Sequence, residues 1–218
     1  MVTSPPVRAD TPRARVVRHE IIYRNTRMGR IVCVANQKGG VGKTTTASNV
    51  AAGLAKSGRH TLLVDLDPQC NATTGLGGKP AETHPLVSES ALSDTIMSTA
   101  VTNLSLLPGS RSVRDVERLA EQARNGSMVL SNHLSCGLNA WDYCLIDCPP
   151  SLGDLTRTAL AGSTEVLMPI QCEYFALEGL TQMIEVIRDV MAEQPGRLSF
   201  SGIVLTMHDA DLELTTEV

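Results

Sequence analysis

The apolar positions of this chain fall into two alternating kinds of segment. Short apolar runs, most of them rich in β-branched residues, recur at Arg30–Ala35, Thr61–Val64, Asn103–Leu107, Trp141–Asp147, Glu165–Ile170 and Ser201–Thr206. Such runs are the mark of strands buried on both faces. Between them the spacing becomes helical. Ala47, Val50, Ala51, Leu54 and Ala55 share one face, predicting a helix that runs to about Ser57 with Gly58 as its terminating residue. Leu177, Leu180, Ile184, Ile187 and Met191 recur at spacings of 3, 4, 3 and 4, predicting a helix that buries this stripe. Further helical stretches are expected at 93–97, 112–124 and 127–138, and after Ser151 through Leu155, Ala159 and Leu160. Residues 70–78 are expected to pass into a flexible glycine-rich loop, and 79–90, polar with two prolines, to be a surface segment. Strands alternating with helices predict an α/β protein with a mostly parallel sheet flanked by helices.

Composition narrows this picture. At 218 residues the default is one domain, able to bury about 70% of its unfolded surface. No apolar run approaches the ~18 residues a membrane span needs, and no apolar segment follows the basic N-terminus as a secretory signal requires. The six cysteines (33, 70, 136, 144, 148, 172) show no metal-type double pair and suit reduced thiols in a cytoplasmic protein. Residues 1–30 hold seven arginines against Asp10 and Glu20, a net +5; the remainder carries 12 basic and 21 acidic groups, a net −9. Residues 1–29 are therefore set apart as a basic, flexible arm, and 30–218 as the folded domain. Charge either keeps the arm solvated or lets it meet nucleic-acid phosphates or an acidic surface. The lack of interleaved aromatics favours the first.

Three stretches carry chemistry. After the first strand comes Lys38-Gly39-Gly40-Val41-Gly42-Lys43-Thr44-Thr45, and then a helix. Glycines let backbone amides turn inward, and the helix N-terminus directs free N–H groups and a positive dipole end at the same point. Lys43 adds a cation for the β/γ-phosphates and Thr44 a hydroxyl for Mg²⁺, so Lys38 to Thr45 is the expected ATP-binding loop. The second strand ends in Asp65-Leu66-Asp67-Pro68-Gln69, placing carboxylates where α/β sheets bind ligands. The third is Trp141–Ser151, an apolar strand ending in Asp147 and followed by Pro149-Pro150. This is a Walker B arrangement whose carboxylate serves the metal's water shell.

The loop departs from the general phosphate-loop pattern, with Gln37 in place of the first glycine and a lysine at position 38. In this it resembles the deviant Walker A loop of the ParA/MinD-type P-loop NTPases, whose Asp-x-Asp-Pro-Gln pattern is also met in full. Gln171–Leu180 resembles the chromosomal ParA subgroup, and Leu205-Thr206-Met207 fits it as well. The resemblance implies a dimer on ATP binding in which Lys38 reaches the partner's nucleotide. It implies that Asp65 helps organise the metal shell with Thr44 and Asp147, and that Asp67 positions the attacking water. Pro149-Pro150 becomes a switch segment that senses the γ-phosphate. The implied activity is slow Mg-ATP hydrolysis, catalysed through Lys38, Lys43 and Asp67, by a DNA-partitioning switch. Such a switch binds DNA non-specifically as the ATP dimer, answers to a ParB-type centromere-binding protein, and sits in the cytoplasm at the nucleoid.

The resemblance covers about residues 30–207 and weakens at His208–Glu213. Beyond Val218 the family adds a further strand, an adenine-contacting loop and closing helices, so the sequence is expected to be truncated at its C-terminus. Two other readings remain open: a MinD-like membrane-cycling regulator of division, which needs a C-terminal amphipathic helix, and a catalytically dead remnant. A nitrogenase-reductase-like electron carrier would need cluster-holding cysteines that Cys148 alone does not provide.

Overall fold

The computed structural model describes residues 29–87, 92–112, 141–172 and 176–208, with 115, 118, 119 and 121 between them. Residues 1–28 of the expected basic arm fall outside the described residues. So do most of the helices expected over 112–124 and 127–138, Glu173–Phe175 of the subgroup string, and the stretch after His208.

The elements in order are β1 (Arg30–Val34), α1 (Lys43–Lys56), β2 (Thr61–Asp65), α2 (Asn71–Gly75), α3 (Leu92–Thr95), β3 (Met97–Ser98), β4 (Leu104–Leu107), β5 (Tyr143–Asp147), α4 (Asp154–Gly162), β6 (Glu165–Gln171), α5 (Ala176–Glu193) and β7 (Ser199–Thr206). The strands form one seven-stranded sheet in the order β3-β4-β2-β5-β1-β6-β7. All neighbours are parallel except β3, which runs antiparallel to β4.

Uninterrupted apolar strands follow from helices on both faces. Ile31, Cys33, Leu62, Val64, Cys144 and Ile146 pack with Leu155, Ala159 and Leu160 of α4 and Met183, Ile187 and Val190 of α5. The alternate positions Val32, Val34, Leu63, Leu104, Leu106 and Leu145 pack with Ala47, Ala51 and Ala55 of α1. An alanine-lined face lets α1 lie close to the sheet, which brings its first turn to the end of β1. α1 ends as predicted. Gly58 has φ 87°, its N–H donates to the Ala55 carbonyl (3.0 Å), and the Arg59 N–H to that of Leu54 (3.1 Å). This is a Schellman closure.

Four expectations are corrected. Residues 71–75 form the helix α2 rather than a loop, packing Ala72 and Thr73 inward. The segment 79–90 is not all surface: His84 is 3% exposed and Leu86 2%, because they cover the ends of β2 and β4. The helix expected over 93–97 stops at Thr95, since Met97 and Ser98 pair with β4. α5 buries Met183, Ile187 and Val190, leaving Ile184 and Met191 of the predicted stripe exposed. Its apolar arc is wider than the sheet beneath it. Among the described residues no helix is long and apolar enough to cross a membrane.

Candidate active site

Val34 and Asp65 are both register partners of Asp147, so the ends of β1, β2 and β5 meet at one point on the carboxyl edge of the sheet. The loop leaving β1 is pinned at its start by Asn36. The Asn36 side-chain amide donates to the Pro169 carbonyl of β6 (2.7 Å), and its oxygen accepts the Lys38 N–H (3.0 Å). Sequence reasoning gave Asn36 no role, although an asparagine at a strand end is a usual turn former. Gly40 (φ 77°) and Gly42 (φ 85°) take left-handed backbone that a side chain would strain. Gly42 is the N-cap of α1, with no side-chain cap and no acidic residue in the first turn. The helix start therefore offers its N–H groups and dipole uncompensated. That is the chemistry of an anion site.

Side chains complete the cradle. Lys43 is buried, and its ammonium donates to the Lys38 carbonyl at 2.7 Å. Burial lowers its pKa, while Asp147, Asp67 and Cys148 raise it. Val41 is buried, Thr44 half-buried, and Gly39 and Thr45 exposed. Pro150 lies 4.0 Å from where a Cβ on Gly39 would sit, so the segment after β5 approaches the loop. The Thr206 hydroxyl at the end of β7 lies 2.9 Å from the Val41 carbonyl and 3.1 Å from that of Ile170, coupling the outer strands to the loop.

The three aspartates differ in their partners. Asp147 is fully buried and neither oxygen has a hydrogen bond. Burial pushes its carboxyl up to about 7; the Thr44 hydroxyl, facing it without closing a full hydrogen bond, and Lys43 pull the other way. Asp65, expected in the metal shell, has both oxygens engaged by protein. Oδ1 accepts the Asp67 N–H (3.1 Å), and Oδ2 accepts the N–H and hydroxyl of Thr73 (2.8 and 2.6 Å). Asp67 is 6% exposed, and its Oδ1 accepts the Gln69 N–H (2.9 Å). Thr73 was missed because nothing in the sequence announces a partner eight residues on.

An AAA domain family matches residues 29–200. The sporulation initiation inhibitor protein Soj of Bacillus subtilis is 42% identical over 196 residues, 88% of this chain and 78% of that protein. The chromosome partitioning protein ParA of Myxococcus xanthus is 43% identical, over 88% of this chain and 69% of its own length. The chain belongs to the ParA/Soj family of partitioning ATPases. It is thus a P-loop ATPase. Among solved structures it is similar to cobyrinic acid a,c-diamide synthase from Mycobacterium smegmatis with bound ATP analogue and magnesium. That likeness has a TM-score of 0.79 at 34% identity, covering 87% of this chain and 79% of the other. The buried, unpartnered Asp147 carboxylate beside Thr44, next to a glycine cradle with an uncompensated helix N-terminus, fits a divalent cation and a phosphate chain.

Proposed function

We propose that the protein is a Mg-ATP-dependent dimerisation switch for DNA partitioning, a basic arm (1–29) preceding the ATPase domain (30–218). One observation carries the reading. The Asp147 carboxylate is buried without a hydrogen bond, at the mouth of an amide cradle that holds Lys43. Such a group calls for a cation or a proton. Magnesium held by one carboxylate, the Thr44 hydroxyl and substrate oxygens uses that donor set, and it neutralises phosphate charge. The amides from Gly39 to Thr45 receive the phosphates. Lys43 exchanges the Lys38 carbonyl for a phosphate oxygen, and Asp67 orients water for in-line attack. Lys38 extends to the nucleotide of a second copy, making ATP the condition for dimerisation. The dimer binds DNA through phosphate contacts without sequence preference, and a ParB-type protein triggers turnover. The protein acts in the cytoplasm at the nucleoid.

ATP turnover with and without DNA tests this. Lys43→Ala and Asp67→Ala should each lower it about 100-fold or more. Lys38→Ala should still bind ATP yet show no ATP-dependent rise in mass by light scattering. Folded protein that takes up no nucleotide in calorimetry would overturn the enzyme reading. Deleting residues 1–28 tests the arm: weaker DNA binding with a shallower salt slope supports it, and an unchanged slope removes it.

A further inference from the structure

The ladder between β2 and β4 closes with Val64 opposite Leu107. Pro108 comes next and has no N–H with which to extend it. The polar groups just beyond lie in the interior, where they need partners. Side chains supply them. The Gly109 N–H donates to the Thr73 hydroxyl at 2.9 Å, and the Asp65 carbonyl lies 3.0 Å from Nε2 of His84. The other ring nitrogen of His84, Nδ1, accepts the Leu86 N–H at 3.2 Å. A backbone N–H can only donate, so Nδ1 carries no proton and Nε2–H is the donor to Asp65. The ring is neutral, in one tautomer, and 3% exposed. The His84 N–H donates to Asp115 Oδ2 at 2.6 Å, and Pro85, Leu86 and Val87 are buried beside it. This imidazole has little freedom to move.

We propose that His84 is a positioning residue for ATP hydrolysis. By holding the Asp65 carbonyl it fixes the turn from Asp65 to Cys70, and so aims the Asp67 carboxylate. The inference rests on the reading of Asp67 as the water-orienting group. Each link is a hydrogen bond. The Asp65 carboxylate receives the Asp67 N–H, Asp67 receives the Gln69 N–H, and the Cys70 N–H closes on the Asp67 carbonyl at 2.8 Å. With its carbonyl released, the Asp65–Leu66 peptide keeps only one anchor, the Leu66 N–H on the Asp147 carbonyl at 3.0 Å, about which it can tilt, and the Asp67 N–H loses its alignment with Asp65. A displacement of about 1 Å in a reacting group can cost on the order of 100-fold in rate. The phosphate cradle hangs from β1 and α1, and no hydrogen bond of His84 reaches it. The effect should therefore fall on turnover and leave nucleotide affinity alone. Plain packing would be served by leucine; a carbonyl with no ladder partner needs a donor.

Steady-state ATPase assays on the full chain decide the matter, using His84→Leu, His84→Gln, Asp67→Asn and the Leu/Asn double variant. His84→Leu should lower kcat about 10-fold or more with KM for ATP within about twofold of wild type. His84→Gln, whose amide keeps a donor at similar reach, should recover most of the rate. The double variant should be no slower than Asp67→Asn alone, since both act through one carboxylate. A folded His84→Leu protein at the wild-type rate overturns the proposal while leaving Asp67 in place. Loss of kcat and affinity together, without rescue by glutamine, also overturns it by showing a role in folding only. If Asp67→Asn turns over normally, the reading of Asp67 fails and takes the proposal with it. Should His84→Leu not fold, His84→Asn is judged by the same kcat and KM criteria. It keeps an acceptor for Leu86 and is too short to reach Asp65.

Discussion

Asp65 and Asp147 end neighbouring strands in register, yet burial acts on them differently. Burial still raises the Asp65 pKa, but hydrogen bonds from Thr73 and Asp67 offset part of that cost. Asp147 has none, and its pKa stands near 7. The unfolded chain gives up this proton near pH 4 and the folded protein keeps it to about 7. The neutral carboxyl thus contributes stability that is complete below about pH 4 and is lost as pH rises through about 7. Asp147→Asn removes that titration. In ligand-free protein its free energy of unfolding should gain on wild type as pH goes from 4 to 8, by at most about 4 kcal/mol, read by denaturant titration at each pH. Parallel pH profiles for the two proteins would show that Asp147 does not titrate. The same scale governs the thiols. Cys33 and Cys148 are buried with sulfurs 3.3 Å apart, and the contact and burial together raise the Cys148 pKa. Thiolate is the reacting form. Among the described cysteines, half-buried Cys172 should be alkylated first in a timed iodoacetamide pulse read by mass spectrometry; early labelling of Cys148 would contradict its burial. A strand that ends in aspartate is visible in the sequence. Whether donors wait for that aspartate is not, because they arrive from Thr73 and from a loop folded back over the strand end.

The phosphate cradle is built by the loop between β1 and α1 and the first turn of α1, and its geometry was legible in the sequence. Three glycines, a helix former and an apolar face repeating through Ala47, Ala51 and Ala55 each point to the same structure. Gly42 shows why. Its φ of 85° at the N-cap is a backbone requirement, while a Cβ there would meet the Thr206 methyl at 3.5 Å, an ordinary contact. Gly42→Ala should therefore cost about 1–2 kcal/mol through the left-handed backbone rather than through a clash. Its larger effect should be on the amides aimed at phosphate, with ATP affinity falling about 10-fold or more by calorimetry while the fold persists. Unaltered affinity would mean that the loop's φ values are incidental. α5 was less legible for an equally physical reason. Its apolar residues span an arc wider than one contact face, so period alone could not choose between Ile184 and Met191 on one side and Met183 and Val190 on the other. Packing on β6 made the choice. α2 and the buried turn at His84–Val87 could not be read at all, because short polar segments owe their position to the strands that they cover.

For the molecule as a whole, strand order does the work that no motif does. β1, β2 and β5 are far apart in sequence and central in the sheet, so the loop and all three aspartates converge at one edge. The far end of the sheet differs. Among the described residues β7 is the outer strand, and Phe200, Ile203, Leu205 and Met207 are 47%, 45%, 49% and 60% exposed. Register sets Ile203 beside Met168 and Leu205 beside Ile170, on the face that α5 covers elsewhere. Ile184 and Met191 add to the exposed apolar surface on that helix. An apolar, unpaired strand edge is an association hazard. The 218-residue chain should scatter light increasingly with concentration. Replacing Ile203 and Leu205 by lysine should suppress this, since charge on an edge strand opposes pairing. ATP affinity should be unchanged, because the contact of β7 with the phosphate loop runs through Thr206, whose side chain points to the opposite face from those two. Scattering that persists in the lysine variant would mean that association proceeds through another surface, and reduced ATP affinity would mean that the outer strand bears on the loop through more than one hydroxyl.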